Sequence, residues 1–260
     1  MWFRKKKIAC IIPARLASSR LEKKMLKSIA GKPILQWIWE TATTWHLFDE
    51  VVFAVDGPIL QQWVSRFGGK AITTPPELEN GTARVAYVRG AGLVKADIWV
   101  NWQGDQPFID HEMLRDLLRP IEEPFDVLTL KREITDLKSA LDPNIVKVVC
   151  NKKGEALYFS RSMVPYNRLP EHAVPHYKHV GLYAYSEKAL GKIAGFSVSP
   201  LARAESLEQL TFLDEGLKIF VSETKKDTIE IDTKADMERA EMYASGLILP
   251  DNSCILPVSL

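Results

Sequence analysis

The sequence predicts an α/β fold, with a mainly parallel sheet flanked by helices and a smaller, partly antiparallel inserted lobe. Two observations predict it. Over the first half of the chain, short apolar runs typical of strands buried on both faces alternate with amphipathic helical patterns. From about residue 131 to residue 186, strands instead follow one another with few helices between them. The second pattern is typical of an antiparallel lobe inserted into the parallel one.

The first half of the chain predicts a run of βαβ units. Ile8–Ile12 is wholly apolar, and Pro33–Trp45 begins with a proline and carries apolar residues at helical spacing. The other predicted strands are Val51–Val55, Lys70–Thr74 and Asp97–Trp102, and the other predicted helices span about residues 58–67 and 84–94. Because βαβ connections join parallel strands, the first half predicts a parallel sheet with helices on both faces.

The second half predicts the inserted lobe and a return to the main body. Asn151–Gly154 is typical of a hairpin turn between two of the strands. The predicted strands of the lobe are Val146–Cys150, Ala156–Arg161 and Tyr177–Tyr185; the returning elements are a helix near Ala204–Glu215, strands Lys218–Glu223 and Thr228–Asp232, and a helix Lys234–Ala244. We therefore expect one domain over residues 1–245, an inserted lobe at about 131–186, and a C-terminal tail over 246–260.

The composition excludes several classes of protein. Hydrophobic residues make up 46% and charged residues 26%, and 34 Lys and Arg against 33 Asp and Glu leave a net charge of +1. This balance is typical of a globular protein without a general nucleic-acid-binding surface. No stretch approaches the roughly 20 apolar residues of a membrane span, so no membrane insertion is expected. The three cysteines lack metal-ligand spacing and predict reduced thiols in a cytoplasmic protein.

The N-terminus has some features of a secretory signal, with basic residues followed by an apolar run. That run is too short for a signal, and Pro13-Ala14-Arg15 closes it with a charge. We interpret it as a basic tip on the first strand.

The loop after the first strand is the first candidate for chemistry. Residues 13–24 place cations and serine hydroxyls directly after a buried strand, where open α/β sheets bind their ligands. The cations are Arg15, Arg20, Lys23 and Lys24. Such donors suit the oxygens of a polyphosphate. The loop matches neither a Walker A motif nor a GxGxxG fingerprint. Its composition alone fits an ordinary charged surface loop equally well.

Two aspartates are candidate ligands for Mg²⁺. Asp105 follows the fourth predicted strand, and the ion usually takes one or two protein carboxylates together with substrate phosphates. Asp105 could instead cap the next helix, although Asp110 is better placed for that cap. Alternation places Glu230 and Asp232 on the polar face of a short strand. Asp232 also precedes a predicted capping box, so it has a local structural role as well.

His179 lies on a predicted strand, on the face opposite the apolar residues Val180 and Leu182. A lone histidine on a strand is more often a structural residue than a catalytic one. No Ser/His/Asp or Cys/His arrangement is predicted.

Together these motifs resemble the 3-deoxy-manno-octulosonate (Kdo) cytidylyltransferases, the CMP-Kdo synthetases. The resemblance runs from about Ile8 to about Ala244. It depends on an ordered set of motifs: Ile12–Leu21, Ile29–Ile34, Asn80–Thr82 with Arg84, Asn101–Asp105, Asp142–Lys147, Ala156–Arg161, Lys178–Tyr185, Ser206–Leu210 and Ile231–Thr233. Each motif is modest evidence, whereas the ordered set is specific.

The resemblance implies a Rossmann-like nucleotidyltransferase sheet and a reaction. The anomeric hydroxyl of the sugar attacks the α-phosphate of CTP, and pyrophosphate leaves, in a step of lipopolysaccharide biosynthesis. It assigns catalytic roles to Arg15, Lys24 and Asp105, and Mg²⁺ to Asp105 and Asp232. The implied nucleotide-binding residues are Pro13, Ala14, Arg15, Lys24, Gly81, Thr82 and Arg84. The implied sugar-binding residues are Gln103, Arg161, His179, Glu208 and Gln209. The resemblance also implies a homodimer.

The chain departs from the usual pattern of that family in three places. The phosphate loop usually continues Leu-Pro-Gly-Lys-Pro-Leu, whereas Leu21–Leu26 here lacks both prolines and the glycine. Glu22 adds a negative charge beside the expected anion site, and Lys23 could compete with Lys24 for its role. Ala83 replaces an acidic residue. Gln106 replaces a glutamate, a variant that also resembles a branch acting on the 8-amino analogue of Kdo.

Three alternatives follow from these departures. The acidic sugar could be the 8-amino analogue or a nonulosonic acid. The chain could be a nucleotide-binding homologue that has lost catalysis. A glycosyltransferase is disfavoured, because Asp105-Gln106-Pro107 does not supply the Asp-x-Asp motif of that class.

Overall fold

A computed structural model describes residues 6–18 and 20–248 of the chain. It divides into two compact units. The first unit contains the residues up to His111 together with those from Asp227 onward, and the second contains Glu112–Lys226. The predicted lobe of residues 131–186 falls inside the second unit.

The elements follow one another in an α/β order. The strands are β1 Ile8–Ala14, β2 Ser28–Ile29, β3 Lys32–Pro33, β4 Glu50–Val55, β5 Ala71–Thr73, β6 Ile98–Asn101, β7 Val127–Ile134, β8 Lys147–Cys150, β9 Ala156–Ser160, β10 His176–Ser186 and β11 Ile219–Glu223. The helices are α1 Ile34–Thr44, α2 Pro58–Ser65, α3 Gly81–Gly90, α4 His111–Leu118, α5 Leu137–Leu141, α6 Glu187–Ile193, α7 Pro200–Glu205, α8 Gln209–Asp214 and α9 Lys234–Ala244. Two 3-10 turns span Lys24–Leu26 and Pro170–His172.

The first unit contains a parallel sheet in the order β6-β1-β4-β5. All seven residues of β1 are buried, which confirms the prediction of a strand covered on both faces. The chain runs from β1 outward through β4 and β5, and then returns to the other side of β1 with β6. The strand order therefore reverses between β1 and β6. Ligands of open α/β sheets bind at this reversal, beyond the carboxyl ends of the strands.

An apolar cluster packs the C-terminal part of the first unit against the rest of that unit. Its buried members are Ile29, Ile34, Phe108, Ile229, Ile231 and Ala240. The residues between Asp227 and the start of α9 form no strand, so the predicted strand Thr228–Asp232 is wrong. The segment is nevertheless extended enough for Ile229 and Ile231 to alternate into the core, and it is attached by a backbone hydrogen bond from Ile231 N to Asp105 O of 2.9 Å.

The backbone of Gly104, next to Asp105, packs closely against the backbone of β1. Its N–H donates to Pro13 O at 3.2 Å, and a Cβ at position 104 would lie 2.7 Å from the same oxygen. Gly104→Ala is therefore expected to lower the free energy of unfolding by about 1–3 kcal/mol, because the clash is with backbone that cannot move aside. Urea denaturation measures the change. Gly90→Ala is the control, since no atom lies within 4 Å of its added Cβ; an equal loss in both variants would contradict the argument.

The second unit is built around the antiparallel pair of β7 and β10, with β11 parallel to β7 on its other side. β8 and β9 form an antiparallel hairpin around a turn at Asn151–Gly154, as predicted. The predicted single helix near Ala204–Glu215 is instead two helices, α7 and α8. Ser206 ends α7 in the left-handed region, with φ of 52°, and so breaks the helical path.

No helix in residues 6–18 and 20–248 is long and apolar enough to cross a membrane. Of the predicted tail over 246–260, residues 249–260 lie outside the described part of the chain.

Candidate active site

A polar cavity of about 270 Å³ opens beyond the ends of β1 and β6, within the first unit. Its lining contains most of the residues predicted for nucleotide and metal: Pro13, Arg15, Lys24, Gly81, Arg84, Asp105 and Asp232. Gln103, predicted for the sugar, also lines it. Arg20, Ser18 and Glu230 also line it. The two segments that sequence could not connect, Gln103–Asp105 and Glu230–Asp232, therefore meet at the switch point of the sheet.

Three carboxylates form a cluster on one wall of this cavity. Oxygen atoms of Asp105, Glu230 and Asp232 lie within 4.8 Å of one another. Glu230 and Asp232 face the cavity because the alternating residues Ile229 and Ile231 are buried in the core. Partial removal from water, followed by the charges of Asp105 and Asp232, raises the pKa of Glu230 to about 7, although part of its side chain stays exposed.

Lys24 lies against two of these carboxylates. Its Nζ donates to Asp105 Oδ2 at 3.0 Å and to Asp232 Oδ1 at 2.9 Å, and only 6% of the side chain is exposed. Burial alone would lower the pKa of Lys24, but the two aspartates outweigh it and raise the pKa above its ordinary value. Arg20 adds a second cation, 2.7 Å from the other oxygen of Asp232.

The structure distinguishes Lys24 from its neighbour in the altered loop. Lys23 is 64% exposed and pairs with Glu22 at 3.6 Å, so it does not line the polar cavity. Glu22 is itself 86% exposed and borders a different, larger cavity of about 910 Å³ that adjoins Asp56 and the start of α2. The extra negative charge of Glu22 is therefore outside the carboxylate cavity.

The residues of the carboxylate cluster fit a divalent cation. Asp105 Oδ1 is buried and has no hydrogen-bond partner among the described residues, although a buried carboxylate oxygen normally has one. Carboxylate oxygens are the ligands that Mg²⁺ prefers, and two or three of them with phosphate oxygens satisfy its coordination. Asp105 and Asp232, the two predicted ligands, and Glu230 would hold such an ion.

Of the three residues predicted to hold the cytidine, Gly81 and Arg84 line the cavity. Arg84 is fully buried, and its guanidinium bonds Thr74 and the carbonyl oxygens of residues 75, 76 and 78, so it braces the preceding loop. Thr82 is buried beside Asn101 and lies outside the cavity lining. Gly81 borders the Gln103 amide, where an added Cβ would come within 2.7 Å of Nε2. Arg15 is exposed at the rim and bonds Glu79 O at 3.1 Å.

Of the five predicted sugar-binding residues, Gln103 belongs to the first unit and the other four to the second. His179 Nε2 lies 2.9 Å from Thr129 Oγ1, and its ring packs edge-on against Phe159. Burial lowers the pKa of His179 to about 3, so the ring is neutral at pH 7. Tyr183 lies beside His179, with ring centroids 5.3 Å apart. Burial, followed by the charge of Glu208, raises the pKa of the Tyr183 hydroxyl well above its ordinary value.

The neutral His179 predicts a pH dependence of stability. An unfolded histidine binds a proton below pH 6.5, whereas the folded one does so only near pH 3. Stability should therefore fall as the pH drops through this window, by up to about 1.4 kcal/mol per pH unit. His179→Gln should lose less stability than the parent between pH 6.5 and 4.5 in urea denaturation. His172→Gln, at an exposed histidine, should match the parent, and equal slopes for all three proteins would contradict the prediction.

Arg161 has structural contacts of its own, and Gln209 is buried. The Arg161 guanidinium donates to three carbonyl oxygens, of Glu205 at 2.7 Å, Pro143 at 2.9 Å and Ser206 at 3.4 Å. These contacts use three of its five N–H donors. Gln209 is buried at the start of α8. The predicted roles of both in binding a sugar stay predictions.

The sequence predicted no role in the site for Glu230, and it predicted Arg20 only as one of four cations in a phosphate-binding loop. The alternation over residues 229–232 had placed Glu230 on the polar face with Asp232, and that was the available signal. Arg20 was recognised as a cation of the loop, but local sequence contains nothing that pairs it with Asp232.

Comparison with known proteins agrees with this geometry. Residues 9–219 match the family model described as Cytidylyltransferase. Relatives named 3-deoxy-manno-octulosonate cytidylyltransferase include those of Synechococcus elongatus, 41% identical over 92% of this chain and 98% of its own, and of Koribacter versatilis, 41% identical over 90% and 89%.

Comparison with solved structures also finds cytidylyltransferases. The structure of CMP:2-keto-3-deoxy-manno-octonic acid synthetase complexed with CTP has a TM-score of 0.87 and 40% identity, and covers 92% of this chain and 98% of its own. The inositol-1-phosphate CTP transferase of T. maritima, 18% identical with a TM-score of 0.65 over 93% of this chain and 97% of its own, shares the fold. The sheet carries carboxylates and cations at its switch point, and the identity to these relatives extends over nearly the whole chain. The protein therefore belongs to the 3-deoxy-manno-octulosonate cytidylyltransferase family of nucleotidyltransferases.

Proposed function

We propose that this enzyme transfers CMP from CTP to the anomeric hydroxyl of Kdo and releases pyrophosphate, for lipopolysaccharide biosynthesis. The observation that carries the proposal is the carboxylate cluster of Asp105, Glu230 and Asp232 beside Lys24, in one cavity at the sheet's switch point. The relative solved with CTP supports CTP as the nucleotide.

The chain's own residues supply binding and orientation in this proposal. The sugar oxygen forms a bond to the α-phosphorus as the bond from that phosphorus to the bridging oxygen of pyrophosphate breaks. Arg15 and Lys24 offer cations to the triphosphate, with the backbone of Pro13 and Ala14 beneath it. Gly81, Thr82 and Arg84 form or brace the wall for the cytidine. Asp105 and Asp232 would hold Mg²⁺, which would neutralise charge on the phosphates.

For the sugar, we propose that Gln103, Arg161, His179, Glu208 and Gln209 form the binding residues. A neutral His179 suits hydrogen bonding to sugar hydroxyls rather than ion pairing with the acid. Arg161 would pair with the sugar carboxylate through the donors that its carbonyl contacts leave.

The test is Mg²⁺-dependent release of pyrophosphate from CTP, with Kdo and its 8-amino analogue in parallel. We expect release with Kdo, its loss in excess EDTA, and a product with the mass of the CMP-sugar. Release with the 8-amino analogue alone would transfer the assignment to that sugar, which the Gln106 variant motivates. CTP binding without release with either sugar would contradict the proposal and favour a non-catalytic homologue.

We also propose a homodimer in the cytoplasm. The segment from Tyr166 to Val174 in the second unit exposes large apolar side chains, with Tyr166 80% exposed, and these suit an interface between two copies. Free thiols at Cys10 and Cys150 support a reducing compartment. Light scattering should give twice the subunit mass of 29.4 kDa. A single subunit mass at micromolar concentration would contradict the dimer.

A further inference from the structure

The position of Lys24 has a consequence for how metal and nucleotide bind. Its ammonium contacts Asp105 Oδ2 and Asp232 Oδ1, the carboxylates proposed to hold Mg²⁺. A lysine ammonium is a compact cation with three donors. It therefore already provides positive charge to these two carboxylates. A divalent cation that binds the partnerless Oδ1 of Asp105 would lie on the same carboxylate as the ammonium, and the two cations would repel each other strongly.

We infer that Lys24 is an exchangeable counter-cation: it neutralises Asp105 and Asp232 in the nucleotide-free enzyme, and transfers its ammonium to the triphosphate when a divalent cation binds. This inference rests on the proposed function. It makes the binding of metal and CTP cooperative. The triphosphate of CTP accepts the ammonium that the metal displaces, and the metal neutralises the two carboxylates that Lys24 leaves.

The transfer that we infer is a rotation of the Lys24 side chain. Lys24 begins the short 3-10 turn after Lys23, and it lines the same cavity as Arg15 and Ser18 of the phosphate loop. Rotation of its four-carbon stem within that cavity would carry the ammonium from the carboxylates toward a triphosphate bound at the loop. Arg20 differs from Lys24 in that it pairs with the other oxygen of Asp232 and 63% of its side chain is exposed.

Lys24 links the binding of the metal to the binding of the nucleotide. A cation that must first release Lys24 binds more weakly than it would to free carboxylates, and a polyphosphate that accepts the released ammonium offsets that cost. Coupling between two ligands is reciprocal, so Mg²⁺ should tighten CTP binding by the same factor by which CTP tightens Mg²⁺ binding. Couplings of this kind commonly amount to about 5–150-fold.

The experiment measures Mn²⁺ binding to the full chain, without sugar, from the electron paramagnetic resonance signal of the free ion. The variant is Lys24→Met, which keeps the length of the side chain and removes its charge. Lys23→Met is the matched control, at an adjacent lysine outside the carboxylate cavity. Without nucleotide, Lys24→Met is expected to bind Mn²⁺ at least about tenfold more tightly than the parent, and Lys23→Met to bind it like the parent.

A second measurement compares CTP affinity in Mn²⁺ with that in EDTA. The ratio should be large in the parent and reduced in Lys24→Met. If that variant does not fold, Lys24→Gln replaces it, since a neutral amide keeps a donor toward one carboxylate. Equal or weaker Mn²⁺ binding by the neutral variant would overturn the inference while leaving the proposed function intact. A parent that binds neither CTP nor Mn²⁺ in any arm would overturn both.

Discussion

Asp105→Asn is expected to lower turnover at saturating Mg²⁺ by at least about a thousandfold. The substitution keeps the shape of the side chain but removes one of the two carboxylates proposed to hold the ion. It also removes a partner of Lys24, whose Nζ lies 3.0 Å from Asp105 Oδ2. Both changes act on the charge that stabilises the reacting phosphates, so the loss should appear in kcat. Pyrophosphate release over a range of Mg²⁺ concentrations measures it.

Two controls make this result specific. Glu238→Gln neutralises an exposed carboxylate on α9 of the same unit, and it should keep the turnover of the parent. The thermal unfolding curve of Asp105→Asn should show a folded protein, since the backbone contacts of Gly104 and Ile231 are unchanged. Near-normal turnover by folded Asp105→Asn at saturating Mg²⁺ would show that Asp105 does not hold the catalytic ion.

The largest expected effect on stability is at Lys147. This lysine is fully buried on β8, and its Nζ donates to the carbonyl oxygens of Asp142 at 2.8 Å, Ile145 at 2.6 Å and Arg161 at 2.5 Å. Burial lowers the pKa of Lys147 below its ordinary value. Lys147→Met fills similar space but leaves three carbonyl groups without their donor. We expect the free energy of unfolding to fall by about 3 kcal/mol, since charge-assisted hydrogen bonds contribute more than neutral ones.

Equilibrium denaturation in urea measures this loss. Lys152→Met in the exposed hairpin turn removes the same charge without a buried partner and should change stability by less than about 0.5 kcal/mol. An equally small effect for Lys147→Met would mean that relief from burying a charge compensates for the lost hydrogen bonds.

Much of the fold could be predicted because its signals are local. The helix Lys234–Ala244 begins and ends where the sequence predicted, because the capping box of Thr233 and Asp236 marks its start. The hairpin turn at Asn151–Gly154 is equally local. The predicted helix over Ala204–Glu215 failed because its apolar residues continue across the left-handed Ser206. The predicted strand at Thr228–Asp232 failed because alternation reports which side chains are buried, and not whether the backbone pairs with a strand.

The βαβ order and the residues at the ends of β1 and β6 could be predicted from the sequence alone, as could the ordered motifs of the family. Those properties depend on neighbours along the chain and on residue type. Folding of the whole chain is needed to bring Asp105 and Asp232 together, to add Glu230 to them, and to place Lys24 against the aspartates. The physical reason is that these contacts join residues far apart in the chain. They depend on the burial of Ile229 and Ile231, which the alternation indicates, and on the backbone hydrogen bond from Ile231 to Asp105, which no local pattern of residues specifies.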